Sequence, residues 1–104
     1  MIDNYNFSNL STILGETVLL KDQAGNQVNL VVSEVIKGPI DGEQWEAFSV
    51  IYKGTHDFSV PQGIYKISHD TFGEKELFLS PNSQTEYETV VARKRDSIPD
   101  IAAL

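Results

Sequence analysis

Residues 60–81 read VPQGIYKISHDTFGEKELFLSP, and the fold turns on this stretch. Pro61-Gln62-Gly63 suits a type II turn, because Pro sets φ near about −65° and Gly accepts a positive φ. Ile64–His69 then alternates Tyr65, Ile67 and His69 against Lys66 and Ser68, the period of two of a half-buried strand. Asp70-Thr71-Phe72-Gly73 suits a hairpin connection with Gly73 in the left-handed position. Glu76–Ser80 follows as a short strand. Its apolar Leu77, Phe78 and Leu79 predict cover on both faces. Turn, strand, hairpin and strand in immediate succession are the grammar of an antiparallel sheet.

The same grammar extends in both directions. Further turn signals stand at Asp22–Asn26, Gly38–Gly42, Gly54–Asp57 and Pro81–Ser83. Between them, Glu16–Lys21, Val28–Lys37, Trp45–Lys53 and Thr85–Arg93 are rich in β-branched and aromatic residues. Val28, Leu30 and Val32 share one phase and Val35 the other, which predicts a bulge near Ser33. The opening differs. Phe7, Leu10, Ile13 and Leu14 recur at spacings of three and four, followed by Gly15. That predicts a short helix over residues 6–14 with a glycine at its exit. The expectation is an all-β fold: a six-stranded antiparallel small barrel or strongly curved sheet with a short N-terminal helix. An open sandwich is the alternative. The β domain covers residues 1–95 and a C-terminal tail covers residues 96–104.

Composition removes several function classes. The chain has 104 residues with no cysteine, so disulfides, thiolate zinc sites and thiol nucleophiles are excluded. Net charge is −7, which disfavours nucleic acid as a partner. Residues 1–50 carry 2 basic and 7 acidic side chains, and residues 51–104 carry 6 and 8, so neither half is extreme. No apolar run reaches the roughly 20 residues of a membrane-spanning helix. The opening MIDNYNFSNL has neither a basic nor an apolar leader region, so the expected location is the cytoplasm or an assembled particle.

Chemistry-bearing residues are few. His56-Asp57 and His69-Asp70 contain metal-ligating types, but an extended strand between them holds the pairs apart, so no metal is expected. His69 is better placed to hydrogen-bond the backbone of its own hairpin. Glu74 with Glu76, Glu86 with Glu88, and Asp41 with Glu43 read as solvated faces rather than acid–base pairs, since a small filled barrel seldom forms a cleft. No serine stands in a nucleophile elbow and no glycine loop has the phosphate-binding ending. Arg93-Lys94-Arg95 is a basic triplet suited to pairing with acidic neighbours. Gln62 can serve the backbone of its loop. Trp45 reads as core or rim packing or as an interface anchor, and Tyr5 could share such a surface. In the tail, Ile98, Ile101 and Leu104 are spaced by three and suit docking on a neighbouring subunit as a short helix or strand.

Five elements in order carry a resemblance. They are Phe48-Ser49 leading to Gly54, Pro61-Gln62-Gly63-Ile64-Tyr65, His69 leading to Gly73, Leu77-Phe78-Leu79-Ser80-Pro81, and Tyr87-Glu88. With the Phe7, Leu10, Leu14-Gly15 opening, the chain resembles an uncharacterised bacterial domain family of about this length, over residues 5–93. The resemblance implies no activity. It implies an accessory role near phage-tail-collar-like proteins. The expectation for function is a non-enzymatic structural or interaction module with a protein partner or self-association, and with no cofactor. The alternative is a small-ligand or carbohydrate-binding module using loops 38–44 and 54–63.

Overall fold

In the computed structural model, which describes residues 4–94, each alternating run of the sequence becomes a strand. One helix, α1 (Phe7–Thr12), precedes β1 (Thr17–Lys21), β2 (Gln27–Lys37), β3 (Trp45–Lys53), β4 (Gly63–His69), β5 (Gly73–Pro81) and β6 (Glu86–Lys94). All pairings are antiparallel, and the strands close into a barrel in the order β1-β2-β3-β6-β5-β4. Closure leaves no open sheet, so neither the curved sheet nor the sandwich applies.

The inward faces follow the period of two. Leu30 and Val32 of β2, Phe48, Val50 and Tyr52 of β3, Ile67 of β4, Leu79 of β5 and Tyr87 of β6 are buried in one cluster with Val18 and Leu20 of β1. The predicted bulge is present: the β2–β3 register shifts between Val32 and Glu34. The extra residue moves Val35 to the inside and Ile36 to the outside, and sharpens the local bend that closure needs. Gly73 takes φ 79° at the β4–β5 hairpin, as the sequence predicts.

Two local expectations need correction. Gly63 has no positive φ; it is the first residue of β4, laddered to Leu79, so the type II turn does not form there. Phe78 is not covered on its outer side: it is 53% exposed, because the barrel has a single layer there.

Helix α1 is shorter than its apolar spacing predicts. Its start is fixed by Asn6, whose side chain accepts a hydrogen bond from the Asn9 backbone N–H at 2.8 Å. Its end is set at Ile13, and Gly15 with φ 85° turns the chain into β1. The strand directions place α1, loop 38–44 and the β4–β5 hairpin at one end of the barrel. Turn 22–26, loop 54–62 and turn 82–85 lie at the other.

Candidate interaction surface

The α1 end of the barrel is closed by side chains. Tyr5 is 1% exposed and enters the core beside Phe48 and Phe72, its ring meeting that of Phe72 edge-on with centroids 4.9 Å apart. The Tyr5 and Tyr52 hydroxyls share a hydrogen bond of 2.6 Å. Burial pushes both phenols above their ordinary range, and the neighbouring Tyr52 oxygen adds to the rise at Tyr5. Both are therefore neutral at any physiological pH. Tyr5 does not share a surface with Trp45: its ring completes a core that the strands alone leave open.

Around this plug sits an ion pair. Glu46 and Arg93 face each other across β3 and β6. Arg93 Nε and Nη2 donate to Glu46 Oε1 at 3.1 and 2.9 Å, and Nη2 also donates to the Tyr5 carbonyl at 2.6 Å. Glu46 Oε2 accepts from the Phe7 backbone N–H at 3.2 Å. The pair ties the segment before α1 to the barrel wall. Arg93, one residue of the basic triplet, thus has the acidic neighbour that its reading anticipates.

The histidines are held apart. His69 lies at the α1 end, where its Nδ1 accepts from the Thr71 N–H at 3.0 Å and its Nε2 lies 2.9 Å from Glu16 Oε1. The Thr71 bond sets the tautomer, with the ring proton on Nε2. His56, Asp57 and Gln62 are exposed in the loop at the opposite end. Among the described residues, no three metal-ligating side chains gather. Two of the three carboxylate pairs sit on strands, but Asp41 does not belong to a solvated face: its side chain is only 11% exposed in loop 38–44, where it accepts from the Ala47 N–H at 3.0 Å. Glu74 and Glu76 are exposed on β5, Glu86 lies 3.7 Å from Lys53 Nζ, and Glu88 accepts from Asn82.

The two loops named for the ligand-binding alternative lie apart. Loops 38–44 and 54–63 adjoin opposite ends of β3. Nine extended residues separate them, about 30 Å at the strand rise, so they do not wall one small-molecule site. Two open hollows lie among the described residues. One, of about 550 Å³, is lined by Thr17, Asn29, Val31, Lys53 and Gly54 among others; the second, of about 430 Å³, runs from Asp22 to Tyr65 and Glu76. Neither includes a residue of loop 38–44 or either histidine.

What the outer wall does offer is an apolar face. Beyond the bulge, Ile36, Ser49 and Val90 form one cross-strand row on β2, β3 and β6, all pointing outward. Ile36 is 49% and Val90 69% exposed. The row toward the α1 end pairs Ala47 with Ala92, and the next pairs Trp45, 42% exposed, with Lys94. Toward the other end, Glu34 and Glu88 flank Ile51 and bound the patch. The β5–β6 ladder consists of Ser80↔Glu88 and Pro81↔Tyr87. Past that ladder the Phe78 carbonyl accepts from the hydroxyl of Thr89, the residue before Val90, and Phe78 is laddered to the similarly exposed Ile64. Sequence reading anticipated Trp45 as a candidate anchor but missed Ile36, Val90 and Phe78, which look like ordinary strand residues until the register is known. Ile98, Ile101 and Leu104 lie outside the described residues.

The fold and surface define a small, end-plugged six-stranded barrel whose two histidines lie toward opposite ends. The chain belongs to a family described as a domain of unknown function (DUF6916), whose model matches residues 5–91. No curated protein matches it, and no solved structure does. Among the described residues, no helix is long and apolar enough to cross a membrane.

Proposed function

We propose that this domain is a non-enzymatic interaction module that works by self-association inside a multi-protein assembly. The observation that supports the reading is the outer face of β2, β3 and β6, where Ile36, Val90 and Trp45 stand exposed around small Ser49 and Ala92. A contiguous apolar patch framed by charge is the usual mark of a protein contact. The chemistry-bearing side chains singled out from the sequence are dispersed rather than gathered. His69 is engaged by Thr71 and Glu16, and Glu74 and Glu76 face solvent. The phage-tail setting implied by the sequence resemblance is one assembly in which such a module serves as an accessory.

Native mass spectrometry of the full chain tests the reading. The expected result is a defined oligomer that becomes monomeric in Val90→Glu, a substitution at a position too exposed to disturb the core. A parent chain that stays monomeric at every concentration would refute it.

A further inference from the structure

We propose that the occupant of this outer face is residues 96–104 of a second copy of the chain. The inference rests on the self-association reading above and adds the segment that makes the contact.

Three observations converge. The first is position. β6 descends from Val90 to Lys94 along the face, so the chain leaves the barrel at the edge of the patch it would need to cover. The second is chemistry. The segment DSIPDIAAL carries Ile98, Ile101 and Leu104 at spacings of three, with two alanines and two aspartates. Pro99 suits the first position of a helical turn and Asp100 suits its positive end. On such a turn Ile101 and Leu104 stand about 4.5 Å apart along the axis. Neighbouring strands are about 4.8 Å apart. Two apolar side chains therefore seat over two adjacent strands, beside Ser49 and Ala92, which are small enough to admit them.

The third observation decides between a second copy and the chain's own barrel. Residues 95–104 contain no glycine, the residue that tight reversals favour. By sequence, Pro99 biases the residue before it, Ile98, against a helical turn. From Val90 to Lys94 the strand has already run about 13 Å away from the row it would have to regain. On this proposal the tail carries on in the direction of β6, away from its own face, and offers Ile101 and Leu104 to a neighbour. Each copy then gives one tail and offers one face, which closes as a reciprocal pair or a ring.

The test uses two full-length variants. Val90→Glu spoils the face and keeps the tail; Ile101→Glu with Leu104→Glu spoils the tail and keeps the face. Native mass spectrometry is run on the parent, on each variant and on their mixture. Emission of Trp45, the sole tryptophan, reports on cover at the face. The proposal expects each variant to lose the parent oligomer, and the mixture to regain a one-to-one complex through its single intact tail and face, with Trp45 emission shifting to shorter wavelength. A tail variant that keeps the oligomer while Val90→Glu loses it would overturn the tail as occupant and leave the face as the contact. A Val90→Glu variant that keeps the oligomer would overturn the face itself. A monomeric parent whose Trp45 emission shifts in the tail variant would assign the tail to its own barrel and overturn the second copy.

Discussion

Replacing Tyr5 by Phe removes one oxygen from the centre of the plugged end. The ring contacts with Phe48 and Phe72 survive, so the whole effect falls on the hydroxyl pair. The Tyr52 hydroxyl is fully buried and its partner is the Tyr5 hydroxyl at 2.6 Å. Orphaning a buried hydroxyl costs about 1–3 kcal/mol, against near neutrality when both partners are removed together. We therefore expect Tyr5→Phe to destabilise the domain by about 2 kcal/mol, lowering Tm by about 4–8 °C per kcal/mol for a domain of this size. Tyr5→Phe with Tyr52→Phe should recover most of that loss. The assay is urea unfolding followed by Trp45 fluorescence, with all variants sharing one m-value. A Tyr5→Phe loss below about 0.5 kcal/mol, or a double variant as unstable as the sum of the singles, would refute the reasoning, because no energetic coupling would then link the two oxygens.

Three further outcomes follow from the same geometry. Arg93→Ala strips Glu46 of its cation and the Tyr5 carbonyl of a donor, and should cost about 2 kcal/mol by thermal melting, less than a fully buried pair because Arg93 is 30% exposed. Stability should also fall at high pH. Both buried phenols have folded pKa values above their unfolded ones, so their contribution is complete below about pH 10 and declines as pH rises beyond it, by about 1.4 kcal/mol per pH unit for each; alkaline titration with tyrosinate absorbance should show ionisation of these two coinciding with unfolding. Gly73→Ala forces a side chain into φ 79° and should cost about 1–2 kcal/mol in urea unfolding, with Gly73→Asn milder.

Much of the architecture was legible because it is local. The phase change between Val32 and Val35 located the bulge, since an extra residue is the simplest way to move an apolar side chain to the other face of one strand. Asp70–Gly73 located the hairpin, since the left-handed position there favours glycine. His69 was readable as a hairpin cap for the same reason: Thr71 is two residues away. The site was less legible. Glu46 and Arg93 lie 47 residues apart, and nothing in either strand names the other as its partner. Tyr5 looked like a surface aromatic because it precedes the helix without any periodic context.

The sequence by itself determined which side of each strand is apolar, where the chain turns, and that no cysteine chemistry is available, because these follow from residue type and spacing of two or three positions. The tertiary structure alone decided which strands are neighbours. β3 pairs with β6 rather than with β4, its neighbour in sequence. That pairing sets Val90 beside Ser49 and Ile36, and Arg93 beside Glu46. Alternation states that a residue faces outward; only register states what it faces outward with, because register is fixed by contacts summed over the whole barrel.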